Sequence, residues 1–360
     1  MLVLAMKRKM KKMKNDTSMI HRGRPMPDAD EGMNTPVSLN STFHAGGDIG
    51  YARYGNQSCS DLESVIESLE HGKTLAFSSG MSAFSAIAAN IPLGSIIVAS
   101  DQGYAGITET LRRMHDEGKI VLRFVDIANT AEVLYNMNDA FMVWIESPTN
   151  PLLKIADLER IIRQAKATSV LVGVDNTFAT PLRQVPLDLG ADISLNSVTK
   201  YMAGHSDVLA GSISTNNKII FDKLEFTRKL NGSIIQPFEA YLALRGMRTF
   251  SLRFEKAESN AKALVGLLRS HEMVTNVYYP GFSGVISFEI KGDAEQAEKV
   301  CSSARLIANA TSLGAVESTW ERRRRWALES HTVPENLIRL SVGCEDIDDL
   351  WLDIKYAIES

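Results

Sequence analysis

The chain has 360 residues, 44% hydrophobic and 23% charged, with 24 glycines and 11 prolines; this composition excludes disordered, collagen-like and disulfide-stapled classes. At roughly 150 residues per domain the length implies about two domains. Thirty-nine Lys and Arg against 43 Asp and Glu leave a net charge of −4, which argues against a nucleic-acid partner and for a small molecule. Cys59, Cys301 and Cys344 stand far apart without a C-x-x-C pair, so no metal is expected and a reducing, cytoplasmic setting fits. No apolar run approaches the ~20 residues of a membrane span, so no membrane partner is expected either.

Residues 1–14 place a short apolar stretch before six basic residues, the reverse of a secretory signal. A solvated tail is the simpler reading, with contact to acidic lipid or RNA as its rival. From about residue 61 to 214, helix-like segments (61–70, 81–89, 108–116 and 157–168) alternate with short apolar ones (95–99, 120–125, 141–145, 170–174 and 193–195). Ser60 and either Ser79 or Ser82 are candidate caps. The alternation predicts an α/β fold with a mostly parallel sheet and crossover helices. After Gln236-Pro237 come a long amphipathic stretch, 238–269, strands around Gly284 and a last helix, 347–358, which predict a smaller C-terminal α+β domain. The expected division is an N-terminal tail and arm (1–50), a large cofactor-binding domain (51–236) and a C-terminal domain (237–360).

Open parallel sheets bind ligands beyond the carboxyl ends of their strands. There this sequence carries Asp101, then Glu146-Ser147-Pro148-Thr149-Asn150, then Asp175, then Ser197-Val198-Thr199-Lys200. Helix capping explains any one of these but explains the set poorly. Ser78-Ser79-Gly80-Met81-Ser82 leads into a helix, whose free amides suit a phosphate. No G-x-G-x-x-G follows a strand and no P-loop occurs, which weakens nicotinamide and nucleoside-triphosphate readings. Lys200 at the ligand edge can form a Schiff base, and Asp175 on a neighbouring strand can pair with a protonated pyridine nitrogen; together they point to pyridoxal 5'-phosphate.

Several ordered motifs carry a family resemblance: Tyr51-Ala-Arg-Tyr-Gly-Asn56, Ser79-Gly-Met-Ser-Ala83, Glu146-Ser-Pro-Thr-Asn-Pro151, Val174-Asp-Asn-Thr-Phe178, Ser197-Val-Thr-Lys-Tyr201 with Gly204-His-Ser-Asp207, Arg245-Gly-Met-Arg-Thr249 and Arg339-Leu-Ser-Val-Gly343. From about His21 to its end the chain resembles the pyridoxal-phosphate enzymes of cysteine and methionine metabolism, the group of cystathionine γ-lyase, cystathionine γ-synthase and methionine γ-lyase. The resemblance implies a fold-type I, aspartate-aminotransferase-like architecture. It implies that Lys200 holds the cofactor and shuttles protons, and that Tyr104 stacks on the ring and acts near the leaving sulfur. It further implies that Asp175 bonds the ring nitrogen, while Gly80, Met81, Ser197 and Thr199 bind the phosphate. Tyr51 and Arg53 would reach the phosphate of a neighbouring subunit, in a homotetramer built as a dimer of dimers. Arg339, with Asn150 and Ser312, would clamp the α-carboxylate of an amino-acid substrate.

The implied activity is γ-elimination of cystathionine, with γ-synthase and homoserine-ester sulfhydrylase as enzymatic alternatives and a non-catalytic binding protein as the non-enzymatic one. The sequence departs from the family pattern at four places. Gln57 replaces a proline, Gly106 replaces the cysteine of methionine γ-lyases, and Thr311 replaces a glutamate of cystathionine-handling members. The fourth is Glu321-Arg322-Arg323-Arg324-Arg325-Trp326. A solvated basic turn is the simpler expectation for it; the sharper one is that an arginine here meets a distal carboxylate or phosphate of the substrate.

Overall fold

The computed structural model describes residues 13–25, 27–329 and 331–360, so the basic run of the first 14 residues lies, but for its last two, outside the described residues. The larger sheet contains β1 (Lys73–Phe77), β2 (Ser95–Ser100), β3 (Ile120–Val125), β4 (Met142–Glu146), β5 (Leu171–Asp175), β6 (Ile193–Asn196) and β7 (Gly211–Thr215), in the order β1-β7-β6-β5-β4-β2-β3. Strands β2 to β6 pair in parallel, whereas β7 is antiparallel to both β1 and β6. Helices cover both faces, which is why β4 is buried along its whole length and reads as one apolar run. Periodicity gives no sign of β7, because Ile213 is the one large apolar residue among its five buried positions; Ser214 is buried and shares a 2.7 Å hydrogen bond with Thr74 of β1.

Local chemistry sets the helix starts. Gln57–Glu70 begins before the expected residue 61 because Asn56, not Ser60, is its cap, its side chain accepting the Ser58 N–H at 3.0 Å. Gly80–Ala88 opens on a reciprocal capping box: Ser79 Oγ accepts from Ser82 N–H at 3.0 Å and Ser82 Oγ from Ser79 N–H at 2.9 Å. The stretch 238–269 is two helices, Pro237–Met247 and Phe250–Ser270. The break redirects the chain: the first helix packs on Gln57–Glu70, and the second runs from that core to the smaller sheet.

The smaller sheet contains β8 (Val274–Tyr278), β9 (Val285–Ile290), β10 (Ala308–Asn309), β11 (Thr319–Arg322) and β12 (Leu337–Ser341), ordered β10-β11-β12-β9-β8 and antiparallel except for the β10/β11 pair. Ala294–Ser303 and Ile347–Glu359 pack with Phe250–Ser270 against it. Among the described residues no helix is long and apolar enough to cross a membrane.

The long helix contributes Phe254, fully buried and edge-on to Tyr201 at 5.0 Å and to Phe250 at 6.0 Å. Phe254→Ala should cost about 3–5 kcal/mol, through lost burial and the cavity left behind. Denaturant unfolding will show this as a lower midpoint, and hydrogen exchange should rise most in the turn that carries Tyr201, whose ring meets Phe254; an unchanged midpoint would refute the packing assignment.

Candidate active site

The carboxyl ends of β4, β5 and β6, together with loops from the smaller sheet, surround a cavity of about 250 Å³. At one end are the turn that starts Gly80–Ala88 and the residues following β6. The capping box occupies the amides of Ser79 and Ser82, so the amides of Gly80 and Met81, first in the helix, have no intrahelical acceptor. A Cβ on Gly80 would lie 3.1 Å from Ser197 Cβ, so glycine lets this turn close on Ser197. Ser197 and Thr199 line the same end; the Thr199 hydroxyl bridges the backbone of Ala210, donating to its carbonyl at 3.1 Å and accepting its N–H at 2.8 Å.

Glu146 and Asp175 are cross-strand neighbours at the ends of β4 and β5. Burial raises both carboxyl pKa values, and the charge of Asp175 raises Glu146 further. Asp175 accepts from Thr177 N–H at 3.0 Å, and Glu146 Oε2 accepts from Tyr104 N–H at 2.5 Å, fixing the start of the Tyr104 helix. Tyr104 is 46% exposed on the cavity wall. A Cβ on Gly106 would fall 2.8 Å from the Tyr104 ring and 3.0 Å from Met81 sulfur, so a cysteine here would displace the ring.

Lys200 follows β6, and its Nζ donates to Ser312 Oγ at 2.7 Å. Burial, reinforced by the positive charge of Arg339, lowers its pKa from 10.5 to about 8. Ser312 sits at a φ of 93°, a conformation costly for a residue with a side chain, and its carbonyl accepts from Arg339 Nη2 at 3.0 Å. Arg339 Nη1 reaches Asn150 Oδ1 at 2.8 Å, while its Nε is buried with no hydrogen-bond partner among the described residues. That orphaned donor on a guanidinium only 4% exposed suits a ligand carboxylate.

The cavity thus gathers Lys200, Tyr104, Asp175, Gly80, Met81, Ser197, Thr199, Arg339, Asn150 and Ser312. Tyr51 and Arg53 are elsewhere, in a second hollow with Asn56 and Gly232, the Arg53 guanidinium stacked 5.0 Å from the Tyr51 ring. Asp101 also stays outside the cavity wall, in a field set by Lys154, Asp126 and Glu132.

One central residue escapes the sequence reading. Glu321 lies directly opposite Arg339 in the β11/β12 register and is fully buried. Its Oε1 accepts from Arg339 Nη2 at 2.9 Å, Arg323 Nη1 at 2.6 Å and Thr311 Oγ1 at 3.1 Å; its Oε2 accepts from Arg325 Nη2 at 2.9 Å and Trp326 Nε1 at 2.8 Å. The signal available was the lone acid heading the arginine run. The expectation of a solvated basic turn is corrected: Arg323 is only 6% exposed and bonded to Glu321 and Glu329, Arg325 pairs with Glu321, and Arg322 and Arg324 pair with Glu335.

The chain matches the family described as Cys/Met metabolism PLP-dependent enzyme over residues 16–359. It is 36% identical to a cystathionine gamma-lyase of Bacillus subtilis, over 97% of this chain and 100% of that one. It is equally 36% identical to a cystathionine gamma-synthase of Mycobacterium tuberculosis, over 95% and 96%. The crystal structure of cystathionine gamma synthase from Xanthomonas oryzae pv. oryzae in complex with cystathionine superposes with a TM-score of 0.92 at 30% identity, covering 96% of this chain and 98% of that one. The fold and these matches define a pyridoxal-phosphate-dependent enzyme of fold type I. The chain belongs to the Cys/Met metabolism family, whose members include both γ-lyases and γ-synthases.

Although burial alone would raise it, the charges of Arg339 and Arg323 hold the Glu321 pKa at about 2, below its ordinary 4.5. The pair's stabilisation is therefore complete above pH 4.5 and is lost as pH falls toward 2. Glu321→Gln strands buried guanidiniums without their anion and should cost about 3–5 kcal/mol near neutral pH. The cost should shrink toward pH 2 in denaturant titrations of both proteins; a pH-independent difference would rule out the charge explanation.

Proposed function

We propose that the protein is a trans-sulfuration enzyme that eliminates the γ-substituent of cystathionine, releasing cysteine, 2-oxobutanoate and ammonia. The reading rests on one juxtaposition: Ser312 accepts from the Lys200 amine through its hydroxyl and from Arg339 through its carbonyl. An α-carboxylate held at Arg339 Nε would bring the substrate's α-carbon beside an amine of unusually low proton affinity.

Pyridoxal phosphate fits this cavity and, when bound, supplies an aldehyde that captures amines and a protonated ring that draws electrons from the substrate α-carbon. Gly80, Met81, Ser197 and Thr199 would hold its phosphate, with the Thr199 hydroxyl turning from Ala210. Asp175 would keep the ring nitrogen protonated, and Tyr104 would cover the ring face. Lys200 Nζ would take the proton from Cα, deliver it to the carbon of the bound cofactor that joined the amine, and so be free to take the next proton from Cβ, a role suited to an amine whose pKa is about 8. Tyr104 protonates the departing sulfur. The same groups perform γ-replacement if a thiol adds once the γ-substituent has left; equal similarity to the mycobacterial synthase supports that second reading.

Tyr51 and Arg53 are read as contributors to the site of a neighbouring copy, because both lie outside this chain's own cavity while keeping the family's loop motif. The further expectation is a homotetramer.

Incubation of holoenzyme with cystathionine should give 2-oxobutanoate by mass, and Lys200→Ala should give none. Cystathionine formed instead from an acylated homoserine plus cysteine would assign the synthase. For the shared site, Lys200→Ala and Arg53→Ala subunits unfolded and refolded together should recover about one quarter of wild-type activity, since half the pairs are mixed and each mixed pair has one intact site. No recovery would refute the sharing.

A further inference from the structure

We propose that Arg323 is a second substrate anchor, a buried guanidinium that selects amino acids carrying an anionic group, carboxylate or phosphoryl, beyond the γ-carbon. The proposal rests on the reading of Arg339 as the α-carboxylate clamp and deepens it to a substrate class.

Of the four consecutive arginines, Arg323 is the one that lines the cavity. Its Nε and Nη2 donate to Glu329 Oε2 at 2.9 and 2.6 Å, and its Nη1 donates to Glu321 Oε1 at 2.6 Å. Among the described residues these bonds use three of the five guanidinium hydrogens and lock the plane, leaving the second hydrogens of Nη1 and Nη2 for a ligand. Arg339 shares the same oxygen of Glu321, so the two cations stand one carboxylate oxygen apart.

The direction away from Arg339 also matters. Glu329 is close enough to add its charge to that of Asp175 in raising the Glu146 pKa, and Glu146 holds the Tyr104 N–H. Thr332, in the same loop, accepts from Gln102 Nε2 at 3.0 Å. The loop after β11 therefore spans from the clamp to the Tyr104 edge, toward which the γ-substituent departs, and Arg323 lies along that path. Burial together with the charge of Arg323 lowers Arg339 to about 9, so the clamp guanidinium is held in a site where a ligand's negative charge is favoured.

The test uses holoenzyme and amino acids of matched length with no leaving group, so that binding is read without turnover from the change in the cofactor's visible absorption. The probes are norleucine (neutral end), 2-aminoadipate (carboxylate end) and 2-amino-5-phosphonopentanoate (phosphonate end). Wild-type protein should bind at least one anionic probe about tenfold or more tightly than norleucine, and the better one identifies the anion. Arg323→Met combined with Glu329→Gln, which leaves no unpaired buried carboxylate, should bring that ratio to about one while norleucine affinity changes less than about threefold. Arg323→Lys, which keeps the charge without the fork, should give an intermediate ratio. A ratio that survives the double variant, a wild-type ratio near one, or an equal loss for all probes would overturn the proposal. Preference for an anionic probe with cystathionine left untouched would sink the γ-elimination reading alone; turnover of cystathionine with no preference would sink this proposal alone.

Discussion

The turn from Ser197 to Gly204 must present one amine to the cavity while its backbone stays packed against the long helix Phe250–Ser270 and the Ser283-Gly284 loop. Arg253 on the long helix donates Nη1 to the Tyr201 carbonyl at 2.9 Å and Nη2 to the Met202 carbonyl at 3.1 Å. Tyr201 reaches the other way, its hydroxyl within 3.1 Å of Ser283 Oγ and accepting the Gly284 N–H at 3.0 Å. Two glycines permit the approach: a Cβ on Gly246 would sit 2.1 Å from the Ala203 carbonyl oxygen, and one on Gly314, at φ +79°, would sit 2.7 Å from Tyr201 nitrogen. A rigid, dry support of this kind keeps Lys200 in an environment that disfavours its charge.

Around the substrate end, the organising element is a carboxylate rather than an arginine. Glu321 accepts from three guanidiniums, a hydroxyl and an indole N–H, so both of its oxygens are saturated. Desolvating so many charges is costly, and the geometry offsets that cost only while the set is complete. The return is orientation: Arg339 and Arg323 are held as fixed donors and need not order on binding. Ser287 on β9 adds a link across the cleft, donating to the Pro151 carbonyl at 2.6 Å and tying the smaller sheet to the loop that carries Asn150.

The departures from the family pattern have physical accounts. Gln57 stands at the first helical position, where proline is also at home; the loop keeps its anchors through Asn56, which donates to the Ser38 carbonyl at 2.9 Å, and Ser58, which accepts from Ser38 N–H at 3.2 Å. Gly106 spares the Tyr104 ring a clash. Thr311 contributes its hydroxyl to Glu321, so the acid near that place comes from the neighbouring strand β11.

The parallel core and its chemistry are legible in the amino-acid order alone. Short apolar runs, each ended by a polar residue, mark β2 to β6, and parallel strands put those ends on one edge, which brings Glu146, Asp175 and Lys200 together. Motif order carried Gly80, Met81, Tyr104 and Arg339 to the same cavity. What escaped depends on partners distant in sequence. The serines of β7 are strand residues because Thr74 and Ser194 lie beside them, and the two helices within 238–269 separate because the chain must reach two cores. Four arginines read as solvated until the register of β11 on β12 sets Glu321 against Arg339 and carries Arg323 inside. Charge pairing across strands depends on register, and only the folded chain supplied that.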